Sequence, residues 1–129
     1  MDRQFVFDHC KEHYHTIPDY PWERYPSYAV LRHRGNRKWY GVVMEIPFKR
    51  LGVMKEGLVD VINLKLEPAM VGSVRDERGV FPAYHMAKGS WVTVLLDGTV
   101  PKETILAFLD ISHSLTKAVK PATQNPVRV

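Results

Sequence analysis

Cysteine is almost missing from this chain: Cys10 is the single one. That excludes an internal disulfide and fits a reducing cytosolic compartment. Long apolar runs are missing as well. Nowhere do the ~18 consecutive apolar residues of a membrane span occur, and Met1-Asp2-Arg3-Gln4 leads into a charged helix rather than an export signal. A cytoplasmic protein that does not engage membranes is expected. The glycines are few and scattered: Gly52, Gly57 and Gly72 build neither a P-loop nor G-x-G-x-x-G, so nucleotide-dependent phosphoryl or hydride transfer has no motif behind it.

What is present is 129 residues, 45% hydrophobic and 25% charged, the composition of one ordinary globular domain. A chain of this length buries about two-thirds of its unfolded surface, which sustains a core without disulfide or metal staples. No cofactor is therefore expected. Eighteen Lys and Arg against fourteen Asp and Glu leave a net charge of +4, a mildly basic surface that permits a phosphate-rich partner without demanding one.

From Asp2 to His15, the positions Phe5, Val6, Cys10, His13 and Tyr14 recur near helical spacing, with Asp2 placed as an N-cap. Pro18, Pro21 and Pro26 then interrupt any ladder, so an irregular connection pinned by Tyr20, Trp22 and Tyr25 should pack on the domain's edge. Ser27 to His33 and Lys38 to Ile46 read as a β-hairpin around Arg34-Gly35-Asn36-Arg37, with glycine and asparagine supplying positive φ. Leu58 to Leu66 alternates as a third strand, Ile62, Leu64 and Leu66 facing the core. Pro68 opens a short helix that ends near Gly79. Val80 to Gly89 reads as a connection, Trp91 to Leu96 as a strand, and Pro101 opens a last helix to about Val119 with Ile105, Phe108, Leu109, Ser112 and Leu115 buried. The chain thus divides into one domain over residues 1–120 and a C-terminal tail over 121–129. The order predicts an α+β two-layer sandwich, a mainly antiparallel sheet with helices on one face.

Tyr20-Pro21-Trp22, the hairpin carrying Lys38-Trp39-Tyr40, the strand end Leu64-Lys65-Leu66-Glu67-Pro68 and the segment from Ala83 to Val94 together resemble the MmcQ/YjbR family, over roughly Phe5 to Val119. The resemblance implies a compact bacterial cytoplasmic domain of YjbR-like, CyaY-like fold that binds DNA through two β wings, with no accepted catalytic residue or cofactor. One departure is His113, where the family commonly carries tyrosine.

Five basic side chains, Arg32, His33, Arg34, Arg37 and Lys38, crowd the hairpin tip with no acid between them. A turn displays such groups outward, where phosphate oxygens accept from guanidinium and ammonium donors. Lys49, Arg50 and Lys55 offer a second wing. Against this stands a solvated tip that uses charge for solubility and edge protection. Lys65, His85, Lys88, Trp91 and Thr93 form a second polar set on the sheet, where an aromatic ring and cations could receive a base or phosphate. The plainer alternative has Trp91 covering the core and His85 capping a carbonyl. His9-Cys10-Lys11-Glu12-His13 matches H-x-x-E-H, but a third ligand and a substrate cleft are wanting, so no metal site is assigned. Cys10 should be a buried small hydrophobe, and Ser112-His113-Ser114 is adjacency rather than a triad.

The leading expectation is a noncatalytic monomer whose basic wings contact DNA. The alternative is a protein-interaction or small-ligand module that uses the sheet face around Lys65 and Trp91.

Overall fold

The computed structural model describes residues 2–117; the expected tail 121–129 and the end of the last expected helix lie outside them. Helix α1 (Gln4–Tyr14) buries Val6 and Cys10. Arg3 occupies the capping position expected of Asp2, yet Asp2 still accepts the Gln4 amide through Oδ1 at 3.0 Å. His15 ends the helix in the left-handed region at φ 57°.

The hairpin forms as expected from β1 (Ala29–Arg32) and β2 (Trp39–Pro47). Its turn works differently, since the positive φ of 64° belongs to Arg37 rather than Gly35 or Asn36. Asn36 instead acts through its side chain, Oδ1 accepting the Lys38 amide at 2.8 Å and Nδ2 donating to the Thr116 carbonyl at 3.1 Å. Leu31 pairs with Gly41 but Arg32 pairs with Trp39, so Tyr40 is the extra residue of a β-bulge. That bulge turns Trp39 to one face of the sheet while Tyr40 joins the core on the other.

A 3-10 turn at Phe48–Leu51 follows, left through Gly52 at φ 76°. Then come β3 (Leu58–Lys65), α2 (Pro68–Val74) with Pro68 in its first turn, β4 (Val80–Pro82), β5 (Trp91–Leu95) and α3 (Lys102–Thr116). The five strands run in the order β1-β2-β3-β5-β4, every neighbouring pair antiparallel. β4 was not expected, because three residues are too few for an alternation to register. The sheet's outer edge at β1 is covered by the proline-rich connection, whose Asp19 exchanges both backbone hydrogen bonds with Val30 at 3.0 and 2.7 Å.

Both faces of the sheet are buried. On one, Val6 and Cys10 of α1, Val71 of α2 and Ile105, Phe108 and Leu109 of α3 meet Leu31, Val43, Ile62, Leu64, Val92 and Val94. All three helices thus share one face of an α+β fold. On the other, Val42, Met44, Ile46, Val59, Val61 and Leu95 are covered by no helix but by Phe48, Leu51, Trp22, Tyr28, Phe81 and Tyr84 from connections and edge. The proline-rich aromatic segment therefore covers a sheet face as well as an edge, since Val61 and Met44 would otherwise lie in water. In α3 the last buried position is Thr116, while the expected Leu115 is 37% exposed.

Candidate functional site

The hairpin tip divides its five basic residues. Arg34, Arg37 and Lys38 are exposed and make no ion pair among the described residues. Arg32 and His33 do not point outward as expected. Arg32 donates through Nε to Asp19 at 3.0 Å and lies over the Trp39 ring at 5.5 Å. His33 is buried, its Nε2 2.7 Å from Thr116 Oγ1. The bulge and the pull of apolar packing explain both, because a ribbon fastened to α3 must turn one side inward. Through His33 and Asn36 the tip is tied at two points to the C-terminal end of α3.

The second basic group, Lys49 and Arg50, lies in the 3-10 turn after β2. It is at the opposite end of that strand from the tip, and the strand alone spans about 26 Å at ~3.3 Å per residue. Lys49 faces Glu56 at 3.8 Å with both side chains largely exposed; Arg50 has no carboxylate partner among the described residues.

The polar set on the sheet separates. Lys65 and Trp91 are register partners on β3 and β5, both half-buried, whereas His85 and Lys88 sit in the connection before β5. No described cavity is lined by all four. Thr93 is wholly buried and serves the fold. Its Oγ1 accepts the Tyr84 amide at 2.8 Å and donates to Asn63 Oδ1 at 2.5 Å, while Asn63 Nδ2 donates to the Tyr84 carbonyl at 2.7 Å. Two buried polar side chains thus clamp the backbone of Tyr84 from both sides. Lys88 is likewise occupied, donating to the Ala83 carbonyl at 2.9 Å.

What the clamp positions is an aromatic cleft that the sequence reading passed over. A lobe of about 250 Å³ is lined by Trp22, Tyr28, Trp39, Met44 and Tyr84. Trp22 meets Trp39 and Tyr28 edge-on, with ring centroids at 5.6 and 6.1 Å. Through Tyr25, Tyr28, Tyr84 and His85 it adjoins a wider lobe of about 590 Å³ that Arg24 and Arg50 line. His85 stands at this junction with φ 61°, a conformation that costs a non-glycine residue on the order of 1 kcal/mol. Burial pushes the Tyr28 hydroxyl's pKa up, with Tyr84 and Tyr25 adding to the shift and Arg50 opposing it. The one signal in the sequence was the set of aromatics between prolines, whose destination across the sheet has no local mark.

On the helix face, His9 Nε2 lies 3.0 Å from Asp110 Oδ1, and the Tyr14 hydroxyl donates to the same oxygen. Asp110 thereby joins α1 to α3 through His9 and Tyr14, while His13 Nδ1 lies 3.1 Å from the His9 carbonyl. Glu12 is exposed. Among the described residues no three His, Cys, Asp or Glu side chains gather in a way that could hold a metal ion. His113 stacks on Tyr14 at 3.7 Å and lies 4.3 Å from His33; burial first, then the charges of His33 and Lys117, lower its pKa to about 4. Cys10 is fully buried, and desolvation lifts its thiol to about 12. No described helix is long and apolar enough to cross a membrane.

The family model YjbR matches residues 11–115, nearly the whole described fold. The chain belongs to the YjbR family. Within it, this YjbR domain is 42% identical to the Bacillus subtilis (strain 168) protein YyaQ over 117 residues, covering 91% of this chain and 99% of that one. A Pseudomonas syringae protein known from a crystal structure superposes with a TM-score of 0.88 at 45% identity, over 91% of this chain and all of that one. The solution NMR structure of a P. syringae protein gives 0.82, also at 45% identity, over 91% of this chain and 94% of that one. The Deinococcus radiodurans protein DR2400 shares the fold at a TM-score of 0.67 and 24% identity, over 88% of this chain and 77% of that one.

Proposed function

We propose that this YjbR domain is a noncatalytic cytoplasmic module that binds duplex DNA through its phosphates, acting as a monomer. The observation that carries the reading is the trio Arg34, Arg37 and Lys38, exposed, without carboxylate partners among the described residues, on a turn held rigid by α3. Unpaired cations on a fixed ribbon bind phosphate without first giving up an internal ion pair. Arg50, in the turn beyond the far end of β2, extends the basic surface. The noncatalytic half of the reading is supported by the state of the nucleophile candidates. Cys10 is buried with its thiol pKa raised, and the Ser112 hydroxyl is engaged with Tyr40 and Lys65.

The test is fluorescence anisotropy on generic duplex DNA across a salt series, comparing wild type with the Arg34→Glu, Arg37→Glu, Lys38→Glu triple variant. Wild-type affinity should fall steeply with salt, and the variant should lose affinity with a log-log slope smaller by about 3, close to 0.9 per lost phosphate contact. Binding that ignores salt, or a folded variant that binds as wild type does, sinks the reading.

A second reading is favoured by the aromatic cleft. The alternative of a ligand module on the sheet face then moves from Lys65 and Trp91 to the lobe beneath Tyr84, where a concave apolar wall meets unpaired arginines.

A further inference from the structure

We propose that the cleft under Tyr84 is a binding site for a small aryl carboxylate, with the ring in the Trp22–Trp39 lobe and the carboxylate toward Arg50 and Arg24. This goes beyond phosphate binding at the hairpin tip and shares only Arg50 with that reading.

Three observations select this ligand chemistry. First, the inner lobe, at about 250 Å³, is smaller than the ~300–1,000 Å³ of sites for drug-sized ligands, and so suits one planar ring system. Its walls are aromatic faces and edges together with Met44, which favour offset stacking and sulfur contact with such a ring. Second, the mouth carries two exposed guanidinium groups, Arg24 and Arg50, without carboxylate partners among the described residues. Glu45 also borders the wider lobe, but it pairs in register with Asp60. Strand alternation puts its side chain on the opposite sheet face from Met44 and Ile46, where Arg3 binds Asp60. An acid is therefore attracted where a neutral or cationic ring is not. Third, the amide that could read the polar edge of a nucleobase is already engaged. Asn63 uses its nitrogen on the Tyr84 carbonyl and its oxygen on Thr93, so a base would lose hydration at its ring edge with little return.

The expense of the site also argues for use. Asn63 and Thr93 are buried polar groups in an otherwise apolar face, and both are committed to holding Tyr84. The next residue, His85, is kept in a left-handed backbone conformation at the lobe junction. A loop that merely covered Met44 and Val61 would need neither.

The three tryptophans make the test self-controlled, because Trp22 and Trp39 line the lobe and Trp91 does not. The ¹⁵N-labelled protein is titrated with indole-3-acetate, with its neutral amide indole-3-acetamide, and with AMP. The expected result is a saturable shift of the Trp22 and Trp39 indole N–H signals with Trp91 still, and affinity for the amide about tenfold weaker because a charge-assisted contact is lost. The Arg24→Gln, Arg50→Gln variant should abolish that difference while keeping the ring contact. The charge-reversed hairpin variant should bind the acid as wild type does, which separates failure here from failure of DNA binding. The proposal is overturned if no indole signal saturates, if all three move together, if amide and acid bind equally in wild type, or if AMP binds more tightly than indole-3-acetate.

Discussion

At the scale of single residues, Ser112 shows how a small hydroxyl holds the fold together. The bulge at Tyr40 takes that residue's carbonyl out of the regular ladder. Ser112 Oγ donates to it at 2.6 Å and accepts the Lys65 amide at 2.9 Å, so one buried side chain of α3 serves two central strands. Replacing Ser112 by alanine strands a carbonyl and an amide inside the core. Each costs about 1–3 kcal/mol, so Ser112→Ala should lose at least ~2 kcal/mol in urea unfolding. An unchanged midpoint would mean the strands pair without this bridge. The sequence placed Ser112 on the buried stripe of the last helix from spacing alone. What it touches depends on a bulge over seventy residues away, and no helical periodicity reports that.

At the scale of elements, the junctions carry the constraints. Gly79 precedes β4 at φ 86°, and a Cβ there would lie 2.6 Å from Val100 Cγ2. Its carbonyl accepts the Leu95 amide at 2.9 Å, so the backbone cannot swing away without losing the link to β5. Gly79→Ala should therefore lower stability by about 2 kcal/mol, from unfavourable φ and overpacking together. Thermal unfolding would read this as a lower Tm, and an unaltered Tm would show that β4 is free to shift. The sequence marked Gly79 as a helix exit, whereas α2 already ends at Val74 and Gly79 stands in the turn before β4, a strand the sequence missed. β2 gives the opposite lesson. Its hairpin partner and alternation were legible, but the placement of Arg34 and Arg50 at its two ends follows from its nine-residue length. The two basic groups read as a first and a second wing lie beyond the two ends of this one strand.

For the whole molecule, acid acts where α1, α3 and the hairpin meet. His113 packs against Tyr14 and His33, and the charges of Asp110 and Lys117 act on it as well. Its pKa falls from 6.5 to about 4, first through burial, then through His33 and Lys117, with Asp110 opposing. The His33 pKa is lowered too, chiefly by burial, against a hydrogen bond to His113. Between pH 6.5 and 4 the unfolded chain therefore binds more protons than the folded one at these sites, and stability must rise with pH. The contribution is fully present above 6.5 and is lost as pH falls toward about 4. Urea midpoints across this window should decline on acidification, and His113→Phe should flatten the decline. A decline of the same steepness in that variant would place the titration elsewhere.

By itself the sequence determined what local periodicity and backbone chemistry encode: three amphipathic helices, a hairpin, a third strand of alternating residues, a strand from Trp91, and hence an α+β sandwich with helices on one face. It also determined that Cys10 is buried and that Arg34, Arg37 and Lys38 are displayed, because apolar spacing and an exposed turn decide those locally. The tertiary structure alone decided the second face of the sheet. Val61, Asn63 and Thr93 alternate just as solvent-facing positions would, and only the fold of the proline-rich aromatic connection and of Tyr84 over them makes that side a second core and a cleft. The reason is physical: alternation separates two faces of a strand, whereas burial depends on what distant chain arrives to cover each.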